Sequence, residues 1–282
     1  MTKQTKGIFN FRGRPLLNTN KFSTQQFPFL NNICAIDFNA IIMIKHWRKL
    51  VEDKNYRYLK GMTLTSDKNI IHDLRPQQII AKYDLPVEMI NRIIKSKSND
   101  GFLAEIALPD YEDRREDVSA RSILIPKLSD PNNLGSIIRS AAILGASQVV
   151  LSPQCTDPFS FKTVAVSRGT SLSGSLRITS TNLFALKKSP VLLCELRSKI
   201  PIARGYAQVL QNGLVKVFSK SNVDIRDASI MVGCESNGFE GMGSGDLPDN
   251  YHYVTIDAHS PQSLNVSTAL AIVIATLWWQ PH

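Results

Sequence analysis

The sequence predicts an α/β protein built on a mostly parallel sheet. Three observations carry that reading. The chain has 282 residues, 43% of them hydrophobic and 20% charged, which is enough for a packed core and for two domains. From residue 122 onward, short apolar runs alternate with segments of helical spacing, the pattern of strands and helices that cover a parallel sheet. The polar motifs fall where apolar segments begin or end, and parallel sheets hold ligands beyond the carboxyl ends of their strands.

The C-terminal elements follow in order. Residues 122–126 (SILIP) read as a strand. Asp130-Pro131 opens a helix with proline in its first turn. Leu134, Ile137, Ile138, Ala141 and Ala142 form its apolar face, Gly145 ends it, and 148–152 is the next strand. Further strands are expected at 191–195, 229–233 and 253–256, and helices at 182–188 and 264–278. Residues 109–120 (PDYEDRREDVSA) are charged and poor in apolar side chains, so they read as a linker. Before it, 40–108 reads as a small α/β module. Its first element is a basic amphipathic helix over 40–60, with Lys45, Arg48, Lys49, Lys54, Arg57 and Lys60 interleaved with Trp47, Tyr56 and Tyr58. Basic residues among aromatics suit phosphate pairing and base stacking, although a charge run also serves as a plain solvated face. Strands at 62–65, 78–81 and 102–107 and helices at 66–74 and 86–94 complete the module.

Charge and cysteine usage narrow the function. Net charge is +9, which favours a polyanionic partner such as nucleic acid, or an organelle address. Lys3, Lys6, Arg12, Arg14 and Lys21 lie in residues 1–36, and Asp37 is the first acid. That segment reads either as an organelle transit peptide or as a disordered basic arm that touches RNA. No apolar core of a secretory signal is present in it. The four cysteines, Cys34, Cys155, Cys194 and Cys234, form no C-x-x-C pair, so zinc ribbons and dithiol redox motifs are excluded and no metal is expected. The longest apolar run, 269–279, falls short of the roughly 20 residues a membrane span needs.

Three motifs remain. Asp130-Pro-Asn-Asn133-Leu-Gly-Ser-Ile-Ile-Arg139-Ser-Ala141 opens a helix. Gly233-Cys-Glu235-Ser-Asn-Gly238 follows a strand, and its glycines let the backbone turn sharply against a ligand. Ser263-Leu-Asn265-Val-Ser267 precedes an apolar helix, where Ser and Asn are ordinary N-caps. Gly241, Gly243 and Gly245 do not complete a dinucleotide-binding G-x-G-x-x-G, since Asp246 follows in its place and no helix opens there. Each motif alone has a bland explanation.

Together, in this order and spacing, the three resemble the ordered motifs of the SpoU (TrmH-like) branch of the SPOUT RNA methyltransferases. The resemblance covers about 121–280, and Cys155-Thr-Asp157-Pro158-Phe159 and Ser167-Arg168-Gly169 resemble segments of organellar members. It implies a parallel sheet with a C-terminal trefoil knot, preceded by an L30e-like substrate-binding domain at 40–108. It implies transfer of a methyl group from S-adenosylmethionine to a ribose 2′-hydroxyl of RNA. The cofactor contacts carried over are Gly233, Thr255, Ile256 and Leu264, mostly through backbone. Arg139 is the catalytic centre, with Asn133, Glu235, Ser263 and Asn265 positioning it and the ribose. A guanidinium is a poor base, so Arg139 is expected to bind phosphate and stabilise the developing alkoxide. Lys45, Arg48, Lys49, Arg57 and Arg168 are the expected RNA contacts. A homodimer through the knot helices is implied, with the end of the last helix, Leu277-Trp278-Trp279, as apolar surface for it.

The third motif departs from the family pattern. Most relatives begin it with Ile-Pro-Met and have a glycine in the loop; here it reads Ile256-Asp-Ala-His259-Ser-Pro-Gln262. Ala165 stands where an arginine is common. Organellar ribosomal RNA, in mitochondrion or plastid, is the expected substrate. The alternatives are tRNA, or an inactive RNA-binding ribosome-assembly factor.

Overall fold

A computed structural model describes residues 38–96, 99–109, 120–180, 183, 190–195, 206–209, 215–218, 227–233, 239, 250–256 and 264–278. Its strands form two sheets. The first is antiparallel with three strands, in the order β1 (Met62–Thr65), β3 (Phe102–Ala107), β2 (Ile79–Asp84). Helices α1 (Phe38–Glu52), α2 (Lys54–Lys60), α3 (Lys68–Asp73) and α4 (Val87–Ile94) accompany it.

The single basic helix expected over 40–60 is two helices. Asp53 interrupts it: its backbone is extended, and its carboxylate accepts the Tyr56 N–H at 3.1 Å to cap α2. Gly61 ends α2 in the left-handed region at φ +64°, where a side chain is disfavoured. Trp47 is no stacking platform. It is buried in the core with Leu50, Leu64, Ile90 and Leu103, and its indole N–H donates to Glu105 at 2.8 Å.

Arg57 is likewise not an RNA contact. It is 3% exposed and turned inward. Nε and Nη2 donate to Asp157 at 2.8 and 2.6 Å, and Nη1 donates to the carbonyls of Leu50 and Val51. A basic residue in an amphipathic run looks the same from sequence whether it faces water or a buried carboxylate 100 positions away.

The second sheet has eight strands, in the order β6 (Arg177–Ser180), β5 (Gln148–Leu151), β4 (Ser122–Ile125), β10 (Ser229–Val232), β7 (Val191–Cys194), β11 (Tyr251–Ile256), β8 (Tyr206–Val209), β9 (Val215–Phe218). All neighbours are parallel except β8 and β9. Strands β4, β5 and β10 are buried at every position and apolar after their first residue, as strands covered on both faces must be. Helix α5 (Pro131–Ile143) connects β4 to β5 and packs on α8 (Val266–Leu277) and α6 (Phe161–Val166). Gly135 permits the close approach of α5 and α6: a Cβ there would stand 2.8 Å from Val166 Cβ and 2.9 Å from the Thr163 carbonyl oxygen.

Two further outcomes concern the C-terminal half. Leu277 and Trp278 are 3% and 5% exposed and belong to the chain's own core, so they are not a free surface for a second subunit. Trp279 lies outside the described residues, as do most of the helix expected at 182–188, most of the linker expected at 109–120, and residues 234–238, 240–249 and 257–263 on which the expected knot falls.

The two sheets share a core. Ile70 of α3 and Phe102 and Ile106 of β3 pack with Phe159, with Val164 of α6 and with Leu172, which accompany the second sheet. Thr63 donates its hydroxyl proton to the Phe159 carbonyl at 2.7 Å, and the Gln78 amide donates to the Leu172 carbonyl at 2.7 Å. The short helix α7 (Thr170–Ser173) begins at Gly169, where a Cβ would meet Ile70 Cγ2 at 2.6 Å.

Candidate active site

The site is assembled at the carboxyl ends of β10, β7 and β11. Val232 pairs with Cys194, and Cys194 with Val254. Gly233, Glu195 and Thr255–Ile256 therefore stand in a row, one or two residues past that register, at the sheet edge. Thr255 is 2% exposed, buried within the β11–β8 pairing, and Ile256 after it is half-buried. Leu264 is 42% exposed, an apolar side chain at the mouth of α8.

The helices α5 and α8 bring the first and third motifs together. Asp130 caps α5, accepting the Asn132 N–H at 3.0 Å, which places Asn133 in the first turn. Asn265 caps α8: its Oδ1 accepts the Ser267 N–H at 2.9 Å and the Ser267 hydroxyl at 2.6 Å. The Asn265 amide then donates to Asn133 Oδ1 at 2.8 Å, joining residues 132 positions apart. The N-cap of α8 is Asn265, and Ser263, together with Glu235, lies outside the described residues.

Arg139 is exposed on α5, about two turns beyond Asn133. It shares an outward strip with Ile143, four residues on and 72% exposed. Lys45, Arg48 and Lys49 are exposed on α1. Lys49 and Lys60 place their ammonium groups 5.3 and 5.6 Å from the Tyr56 ring centroid. Arg168 has φ +53° and is already engaged, its guanidinium 2.7 Å from Asp67 on the other sheet's side of the seam.

One residue escaped the sequence reading. Glu195 follows β7 directly in the middle of the row, and its carboxylate accepts the Phe239 N–H at 3.2 Å. The available signal was an acid that ends an apolar strand run. Beside it, burial, with a smaller contribution from the Glu195 charge, pushes the Cys194 thiol up to about 12. That removes Cys194 as a thiolate nucleophile at neutral pH. Among the described residues no group of three or more His, Cys, Asp or Glu could hold a metal ion, and no helix is long and apolar enough to cross a membrane.

The strand register thus brings Gly233, Thr255 and Ile256 of the expected cofactor contacts to one edge of the sheet, and Leu264 stands exposed just before α8. Residues 120–275 match the model of the SpoU rRNA Methylase family. An uncharacterized tRNA/rRNA methyltransferase of Synechocystis is 26% identical over 124 residues, 44% of this chain and 45% of that protein. The chain spans less than half the length of the curated relatives it matches. Among solved structures, the AdoMet-bound rRNA methyltransferase of Sinorhizobium meliloti is similar with a TM-score of 0.61 at 18% identity, over 83% of this chain and 93% of that one. The SpoU methyltransferase AviRb of Streptomyces viridochromogenes, in complex with AdoMet, is similar with a TM-score of 0.60 at 17% identity, over 83% and 96%. At these identities the likeness is one of fold.

Proposed function

The chain belongs to the SpoU rRNA methylase family, and from that membership we propose that it methylates a ribose 2′-hydroxyl of RNA using S-adenosylmethionine. The observation that carries the reading is the 2.8 Å bond from Asn265 to Asn133, which locks the first and third motifs together beside the Gly233 strand end. The solved relatives with AdoMet support the cofactor, and the +9 charge supports the polyanion.

S-adenosylmethionine supplies an electrophilic methyl group when bound. Gly233, the main chain of Thr255 and Ile256, and Leu264 would hold it, with Glu195 fixing the loop above. The work of the chain's own residues is alignment and charge. Asn133, held by Asn265, offers its amide to orient the ribose; Glu235 and Ser263 join it in this reading. Arg139 is always charged, so it acts as a clamp on the adjacent phosphate and as a donor to the oxygen as negative charge develops. Removing one such donor costs roughly a hundredfold or more in turnover. Fixing hydroxyl and methyl in line supplies much of the remaining acceleration. Lys45, Arg48 and Lys49 provide the exposed cationic face for phosphates.

We place the substrate among organellar ribosomal RNAs, on the strength of the acid-free basic segment 1–36. A homodimer would cover the Arg139–Ile143 strip. The test separates binding from chemistry. Calorimetry should show S-adenosylmethionine binding to wild type and to Arg139→Ala alike, while methyl incorporation into organelle RNA drops at least a hundredfold in the variant. An Arg139→Ala enzyme of unchanged rate refutes the assignment. A second reading, an inactive RNA-binding factor, is favoured by the altered loop with His259; measurable cofactor binding contradicts it.

A further inference from the structure

A cavity of about 100 Å³ opens at the seam between the two sheets, on the same carboxyl edge as the site. Leu151 and Ser180, at the ends of β5 and β6, line one side; Lys54 and Tyr58 of α2 line the other; Thr156 and Pro158 close it. With strands about 4.8 Å apart, the β6 end lies three spacings, roughly 14 Å, from the β10 end where Gly233 stands.

We propose that this open cavity receives the base of one nucleotide of the RNA substrate, flanking the one that is methylated, with its sugar and phosphate outside. The proposal rests on the RNA methyltransferase reading above and names a subsite for its substrate. Three features choose a nucleotide. First, the wall is an aromatic ring with prolines beside it, a surface that stacks a base of any sequence. Second, the exposed Lys54 lies over the Tyr58 ring, its ammonium 5.7 Å from the centroid, and its flexible stem lets it swing to a phosphate as a base takes its place on the ring. Lys49 and Lys60 continue the positive surface along the same pair of helices. Third, no acidic side chain lines the cavity among the described residues, so it is not a cation site.

The wall is also preorganised. The Tyr58 hydroxyl donates to Asp157 Oδ1 at 3.2 Å, and the same oxygen accepts the Phe159 N–H at 3.0 Å. Asp157 itself is 5% exposed and gripped by Arg57 through Oδ2. The Tyr58 ring lies 6.1 Å from the Phe159 ring, centroid to centroid. The ring therefore loses little freedom when a base arrives, which is what makes a platform effective. The buried Arg57–Asp157 pair explains why an arginine in a basic run turns inward: it sets the wall on which RNA rests.

The experiment uses the full chain and a random-sequence oligoribonucleotide carrying 4-thiouridine, irradiated and mapped by mass spectrometry. Cross-links are expected on the peptide holding Lys54 and Tyr58 and on the peptide spanning 151–158. Ser180→Trp, which fills the cavity, and Lys54→Glu should each weaken binding of the same oligonucleotide about tenfold, with S-adenosylmethionine binding unchanged as the control for folding. Cross-links confined to α1, or both variants binding RNA within twofold of wild type, overturn the subsite and leave the RNA reading standing. RNA that neither binds nor cross-links anywhere overturns both.

Discussion

Replacing Arg57 with methionine tests the seam most sharply. Methionine approximates the arginine stem but deletes the guanidinium. Among the described residues Asp157, 5% exposed, then keeps the Tyr58 hydroxyl and the Phe159 N–H as side-chain partners, and its charge is left without a counterion. The carbonyls of Leu50 and Val51 lose donors at 2.8 and 3.0 Å. Removing one partner of a buried ion pair costs about 3–5 kcal/mol. At roughly 2–4 °C per kcal/mol for a protein of this size, the melting temperature should fall by about 10 °C. Adding Asp157→Asn to Arg57→Met removes the stranded charge while keeping an acceptor for Phe159, so the double variant should be more stable than Arg57→Met alone. Arg57→Lys should fall between, because an ammonium cannot reproduce the fork. Urea denaturation of these proteins, with Asp157→Asn alone to complete the cycle, measures the coupling. A loss below about 1 kcal/mol in the single variant, or simple additivity in the double, refutes the view that the pair is a coupled buried clamp.

Other consequences are more local. Gly135→Ala places a Cβ 2.8 Å from Val166 Cβ and 2.9 Å from a backbone oxygen, so α5 and α6 must part; overpacking of this kind costs about 1–3 kcal/mol, visible in thermal melts. His46 is held below its ordinary value of 6.5, by burial first and by Lys60 in addition, against the opposing pull of Glu105. The unfolded chain then takes up the proton more readily, so this contribution to stability is full above about pH 6.5 and declines as pH falls below it. The decline should be shallower in His46→Gln. Ile143→Asp puts a charge on the exposed strip of α5, so in sedimentation the proposed homodimer should give way to monomer without loss of fold.

The legibility of this chain divides by range. The inner strands and α5 were visible because each is a continuous apolar run or a capped, periodic helix, signals written in neighbouring residues. Asp53 was written in the same local terms, yet its cap was masked by basic residues on both sides, so two helices looked like one. Strand β9 lies at the sheet's edge with β8 beside it, and their sequences, YAQV and VKVF, interleave polar with apolar residues and so offer no continuous apolar run. Trp47 and Arg57 misled for a different reason. Their inward turn is decided by Glu105 and Asp157, 58 and 100 positions away, and no window along the chain contains both partners. The motifs at Asn133 and Asn265 were found as strings; that one amide holds the other is a fact of tertiary structure. Glu195 belongs to no string, and only the strand order β10-β7-β11 puts it at the centre of the site.

The central claim concerns where the methyl group goes. Organelle RNA incubated with the full chain and methyl-labelled S-adenosylmethionine, then hydrolysed in alkali, answers it directly, because a 2′-O-methyl ribose blocks cleavage at its own phosphodiester. The account predicts label in alkali-resistant dinucleotides, lost in Arg139→Ala. Label recovered in mononucleotides, which places the methyl on a base, or resistant dinucleotides that persist undiminished in Arg139→Ala, would contradict it.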